Sequence, residues 1–108
     1  MTTEAEQSNI VLLFGDNPII RIIDALVDNI GNDYSKKDIQ EISGISKSTL
    51  FKHWDAIEHM GLVTPTRSFG RTRLYTLNKN NKIVKDILKL EMDMIEKTTP
   101  MVIKSKAR

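Results

Sequence analysis

The stretch Asp38-Ile-Gln-Glu-Ile-Ser-Gly-Ile-Ser-Lys-Ser-Thr-Leu-Phe-Lys-His-Trp-Asp-Ala-Ile-Glu-His-Met-Gly-Leu-Val63 decides the fold of this 108-residue chain. Ser46 is a good helix cap, and the residues after it sustain a helical period to Met60, where Gly61 stops it. A helix advances ~100° per residue. With Leu50 at zero, His53, Trp54 and Ile57 fall within about 60° of it and form the inward face. Ser48, Lys52, Asp55 and His59 lie near the opposite side. Upstream, Ser35 caps a shorter helix, Lys36–Ile42, with Asp38 placed to close a box-like pair. Ser43-Gly44 ends it. Two helices separated by a tight glycine turn therefore stand at the centre of the chain.

Outward from this pair, Asn17 and Pro18 open an amphipathic helix, Pro18–Asn29. Ile19, Ile22, Ile23, Leu26 and Ile30 share its inner face, and Gly31 closes it. A shorter apolar stretch, Ile10 to Phe14, reads as one or two helical turns. Asp33-Tyr34-Ser35 reads as a short connection or a bridging strand. After the glycine at 61, Leu62–Arg67 reads as a strand, with Pro65 marking an edge or bulge. Ser68–Arg71 is a turn, and Thr72–Leu77 alternates as the stronger strand. A last helix is expected over about 81–96, ended by Thr98-Thr99-Pro100. The organisation is thus a disordered 1–7, a folded domain over 8–96 and a basic flexible tail over 97–108. The fold class is mainly α with a small β-hairpin.

The segment 38–63 resembles winged helix-turn-helix transcription regulators, and most closely the ArsR/MarR-like type, including archaeal members. Ile39, Gly44, Ile45, Leu50, His53, Ile57, Gly61, Leu62 and Val63 stand where those families place their signature residues. Ser46-Lys47-Ser48-Thr49 opens the recognition helix as it does in them. Leu13-Phe14-Gly15 with Arg21-Ile22-Ile23 extends the likeness to roughly residues 10–95. Two positions depart from the pattern. Gln40 replaces a small residue at the helix–helix contact, and Trp54 replaces a leucine, adding core volume that could brace the wing. The resemblance implies a winged helix-turn-helix with an extra C-terminal dimerisation helix. It also implies a sequence-specific, double-stranded-DNA-binding regulator, most simply a homodimeric repressor.

Charge distribution agrees with a polyanionic partner. The net charge is only +2. Residues 1–34 hold one base against six acids, residues 35–76 seven against four, and residues 77–108 eight against four. The front is acidic and the rest basic. The expected DNA contacts are Lys36, Ser46, Lys47, Ser48, Thr49, Phe51 and Lys52 around recognition helix 47–60, with Arg67, Arg71 and Arg73 on wing 67–73. Lys47 and Thr49 sit in the first turn, where free N–H groups and the helix dipole favour an anion. Phe51 either touches a thymine methyl or packs against the wing. Phe69, at the wing tip, either inserts shallowly or folds back on Tyr75. Arg67 and Arg73 are expected as cross-strand neighbours.

The last helix carries more apolar surface than its own core needs. Ile83, Val84, Ile87, Leu88, Met94 and Ile95, with Glu91 inside their arc, form a stripe far wider than ~100°. A second copy of the same helix is the simplest cover, and the segment Ile10–Phe14 is the other. A dimer would set two recognition helices ~34 Å apart on a pseudo-palindrome.

Other classes find less support. Cysteine is absent, which removes disulfides, thiolate metal sites and cysteine nucleophiles, and fits a reducing, cytoplasmic setting. No apolar run approaches the ~20 residues of a membrane span. Two scattered histidines make no metal set. There is no nucleophile–base pair or phosphate-cradling glycine loop, so neither an enzyme nor a bound cofactor is expected. A protein-interaction module and an architectural DNA-binding protein are the alternatives. Nothing identifies a small-molecule effector.

Overall fold

The structure is a computed structural model that describes the backbone over residues 8–107 and the side chains over 8–97. Five helices and one hairpin follow in the order α1 (Asn9–Phe14), α2 (Pro18–Asp28), α3 (Lys36–Ser43), α4 (Lys47–His59), β1 (Val63–Phe69), β2 (Thr72–Leu77) and α5 (Lys82–Ala107). Each of the first four helices begins where a side chain satisfies a free N–H. Ser8 accepts from Val11, Asn17 from Ile20, Ser35 from Asp38 and Ser46 from Thr49, each at 3.1 Å. These caps occupy donors that no helix can bond internally. At Ser35 the box is reciprocal, because the Asp38 carboxylate accepts from the Ser35 N–H at 3.1 Å. Gly44, with φ of +71°, ends α3 in the left-handed region and turns the chain into Ile45 and Ser46.

The core forms where the inner faces of these helices meet the hairpin. Ile22 from α2, Ile39 from α3, Leu50 and Ile57 from α4, Leu62 before β1 and Val84 from α5 are almost wholly excluded from solvent. Trp54 and Tyr75 complete the cluster. Full burial of each such aliphatic side chain contributes roughly 1.5–3 kcal/mol relative to exposure. The inner face predicted for the recognition helix is the observed one at Leu50, Trp54 and Ile57, with His53 half-buried.

β1 and β2 pair antiparallel, Val63 opposite Leu77 and Phe69 opposite Thr72. The register slips between Pro65 and Ser68, where Pro65 cannot donate to the ladder. β1 runs two residues beyond the expected Arg67, so the turn shrinks to Gly70-Arg71. Tyr34 adds a bridge to the free side of β2. Its N–H donates to the Tyr75 carbonyl at 2.7 Å, and the reverse bond is 2.8 Å.

The last helix corrects the sequence reading. It does not end at residue 96 but continues to Ala107, so the segment expected as a flexible tail over 97–108 is helical as far as the described backbone goes. Pro100 withdraws only one N–H from the ladder. Once a helix is nucleated, each further residue adds a bond at little extra cost. Its 26 residues make a rod about 39 Å long. The expected disorder of residues 1–7 lies outside the described residues, as does Arg108. Among the described residues no helix is long and apolar enough to cross a membrane.

Candidate nucleic-acid interface

The first turn of α4 is a compact hydroxyl network. Ser46 Oγ accepts from the Thr49 N–H and donates to Thr49 Oγ1 at 2.8 Å, and it lies 3.2 Å from Ser48 Oγ. Ser46, Ser48, Lys47 and Lys52 are exposed, and Thr49 is half-buried. All five belong to α4 or its cap. Ser46 therefore shapes the helix start, and its one donor and two acceptor positions are met by Thr49 and Ser48.

Of the two places expected for Phe51, packing against the wing is not the one seen. Its ring does not lie on the wing; it stands 52% exposed with two ammonium groups over it. Lys47 Nζ is 5.6 Å from the ring centroid, and Lys36 Nζ, arriving from α3, is 5.3 Å from it. Lys36 Nζ is also 5.1 Å from the Trp54 ring. Cation–π contacts of this kind are worth about 0.5–1 kcal/mol at exposed sites. They bring cations from two different helices to one ring.

Trp54 makes the junction to the wing. Its ring meets Tyr75 of β2 edge-on, with centroids 4.9 Å apart and planes at 72°, the preferred geometry of an aromatic pair. The bracing expected of Trp54 is thus observed. Its Nε1 is buried and finds no acceptor among the described residues.

The wing arginines separate into two kinds. Arg71 and Arg73 are exposed, and Arg73 lies opposite Ser68. Arg67 is not the cross-strand neighbour of Arg73, because the bulge shifts the register by that point. Instead Arg67 reaches back 34 positions to Asp33, with Nε to Oδ2 at 3.0 Å and Nη2 to Oδ1 at 3.3 Å. The Thr66 hydroxyl donates to the same carboxylate at 2.6 Å. Thr66 and then Arg67 hold the Asp33 carboxyl below its ordinary range. Phe69 does not fold onto Tyr75; its ring lies 5.1 Å from the Arg67 guanidinium carbon and is 60% exposed. An acid far away in sequence was invisible to a reading of the hairpin alone.

Arg21 of α2 has a similar tying role. It binds Asp16 bidentately at 2.6 and 2.9 Å and reaches the Gly44 carbonyl at 3.4 Å. The loop before α2 is thereby joined to the turn between α3 and α4.

The face expected for a second copy is only partly available. Val84 is 1% exposed and belongs to the chain's own core, so it cannot serve a partner. Ile87 and Leu88 also pack partly against that core. Ile83, Met92 and Ile95 are exposed on α5, and Leu12, Leu13 and Phe14 are exposed on α1. Ile10 is buried, α1 packing against both α2 and α5. Of the two covers considered for the stripe, the segment at α1 is seen to take part of it. Glu91 Oε1 is buried without a partner among the described residues. Burial raises its pKa, and the charges of Asp28 and Asp24 add to the rise. Among the described residues, no group of three His, Cys, Asp or Glu side chains could hold a metal ion.

Similarity to known proteins comes from structure alone. No family model and no curated protein matches the sequence. Three solved structures align well. Sso10a-2, described as a DNA-binding protein from Sulfolobus solfataricus, aligns with a TM-score of 0.53 at 12% identity over 84% of this chain and 95% of its own. NadR, solved in complex with 4-hydroxyphenylacetate, gives 0.56 at 20% identity over 81% of this chain but only 62% of its own. A MarR family protein from Bacillus stearothermophilus gives 0.54 at 16% identity over 91% and 74%. With α3, the glycine turn, α4 and the β1–β2 hairpin in this order, the chain has the winged helix-turn-helix fold.

Proposed function

We propose that this protein is a homodimeric regulator of transcription that binds double-stranded DNA, with α4 in the major groove and the wing on the minor groove and backbone. The observation that carries the reading is a continuous cationic strip. Lys47 and Lys36 both contact the Phe51 ring, and Lys36 also lines a groove with Arg71 and Arg73 of the wing. Lys and Arg on such a strip supply affinity through phosphate contacts. Ser48, Thr49 and Lys52, at or near the exposed start of α4, supply the readout of base edges. Arg67 serves the wing from behind, through Asp33. The simplest action is repression by occluding a promoter, in the cytoplasm, without catalysis.

The dimer follows from the exposed apolar residues that α1 leaves uncovered. Ile83 is 45% exposed on this 26-residue helix, and Leu90, on the same side of it, is half-buried. A second α5 is a self-complementary cover.

Selection of bound fragments from genomic DNA at stated salt tests the proposal. Enrichment of an inverted repeat is the expected result, with affinity falling steeply as salt rises. Salt-independent binding, or no binding to any duplex, would refute it. Enrichment without sequence preference would instead identify an architectural DNA-binding protein. The Arg71→Gln, Arg73→Gln double variant separates the protein-interaction module. DNA binding should collapse in it, whereas a contact made through α1 and α5 should persist.

A further inference from the structure

Phe51 is an apolar ring among cations on α4, and the core makes no use of it. We infer that Phe51 is a specificity residue that reads the C5-methyl group of a pyrimidine in the major groove. The inference rests on the DNA-binding reading above and deepens it. It adds one apolar contact to the hydrogen-bonded readout by Ser48, Thr49 and Lys52.

Three observations lead to it. Leu50, Trp54 and Ile57 of the same helix are buried in the core cluster, whereas Phe51 lies outside that cluster and is exposed. The ring is restrained all the same. The Lys36 and Lys47 ammonium groups, 5.3 and 5.6 Å from its centroid, contact it without covering it. A restrained side chain loses less freedom on contact. Lys47 and Ser48, four and three positions earlier, are its neighbours on the helix surface, so the ring adjoins the exposed start of α4. Among the exposed residues over 46–52 it is the only apolar one.

The chemistry of the duplex narrows the target. Phosphates and the nitrogen and oxygen atoms of base edges are hydrated, and an apolar ring laid on them would strip water without replacing its hydrogen bonds. The major groove presents one apolar group, the C5-methyl of thymine, and a methylated cytosine carries the same group on the same ring carbon. Covering one such methyl changes affinity about fourfold. The cations around the ring favour a polyanion over an apolar pocket on a protein.

The test uses the full chain and duplexes carrying the selected site, with affinity measured by anisotropy at one fixed salt. Each thymine is replaced in turn by deoxyuridine, which lacks only the methyl. At one position of a half-site the affinity should fall about fourfold. Phe51→Ala should bind the unmodified site more weakly and be indifferent to that replacement, whereas Phe51→Leu should stay sensitive to it. Where the contacted base is a cytosine, the deoxyuridine scan is flat instead. Methylation of that cytosine at C5 then strengthens binding about fourfold in the unmodified protein and not in Phe51→Ala. Circular dichroism confirms that each variant is folded. Sensitivity to the methyl that persists in Phe51→Ala overturns the inference, because another group then meets it. A preference for the selected site with indifference to both base changes overturns it as well. So does a Phe51→Ala variant that binds every duplex as the unmodified protein does, which would assign the ring to a protein partner. Binding without sequence preference overturns it and leaves DNA binding in place. Failure of the unmodified protein to bind any duplex overturns the inference and the regulator reading together.

Discussion

Replacing Trp54 with phenylalanine should leave stability almost unchanged, although Trp54 is only 3% exposed and is the one tryptophan in the chain. The exchange removes about 40 Å² of apolar surface, which costs about 1 kcal/mol at ~25 cal/mol per Å². The space left behind, about 40 Å³, adds about 1 kcal/mol at ~24 cal/mol per Å³. Against this, the exchange deletes the buried Nε1–H, which finds no acceptor among the described residues. An unmet buried donor costs about 1–3 kcal/mol, so its removal offsets the loss to within about 1 kcal/mol. The phenyl ring keeps an edge for Tyr75 and a face for Lys36. Trp54→Leu keeps neither, and it forfeits in addition the ~0.5–1.5 kcal/mol of the aromatic pair. Urea unfolding followed by far-ultraviolet circular dichroism measures both variants. With a slope of about 1–3 kcal/mol per molar, the phenylalanine midpoint should move by less than about 1 M and the leucine midpoint further down. A phenylalanine variant destabilised by more than about 3 kcal/mol at unchanged slope would show that the indole N–H is satisfied and the reasoning wrong.

Asp33→Asn should free Arg67 and lower the thermal midpoint at low salt. The difference should shrink near 1 M salt, where the screening length is ~3 Å, and melting curves at the two salts check it. Glu91 and Asp28 have pKa values raised by burial, so both hold a proton more tightly folded than unfolded. Their contribution therefore favours the fold below their ordinary values of 4.5 and 3.8 and is lost as pH rises through the raised values. Asp16 and Asp33, with lowered values, act oppositely, and their stabilisation is lost as pH falls below 3.8. Glu91→Gln should accordingly raise the midpoint at neutral pH and flatten its rise toward mild acid, as read from melting curves across pH. Gly61→Ala should cost about 2–3 kcal/mol by urea unfolding. Its φ of +70° adds about 1–2 kcal/mol of strain. Its Cβ would also stand 2.8 Å from Asn81 Nδ2, displacing the side chain that caps α5 through the Val84 N–H, a loss of about 1 kcal/mol.

What the sequence discloses here follows the range of the forces involved. Helix starts at Ser35, Ser46 and Asn17 are local events, each settled by a side chain three residues from the N–H it bonds, and all three were legible. The inner face of α4 was legible because its period is fixed by backbone geometry. Misreadings occur where a residue's partner is remote. Arg67 looks like a free wing cation until Asp33 is brought beside it by the Tyr34–Tyr75 bridge. Val84 looks like interface until α5 is docked and the residue proves to be core. Phe51 has no preferred neighbour in sequence, and its pairing with Lys36 depends on the crossing of α3 and α4. The end of α5 misled for another reason: Pro100 is a strong local signal, but a helix already formed can lose one bond and continue.

The link from Asp33 to Arg67 bears on how such hairpins can be exchanged. Arg67 of this wing is anchored to a carboxylate in the loop between α2 and α3, which is absent from the hairpin itself. A chimaera carrying only residues 63–77 into another scaffold would take the arginine and leave its anchor behind. The smallest portable form of this wing is therefore the hairpin together with the loop at Asp33, and transplantation of one without the other should yield a wing whose Arg67 has lost its anchor.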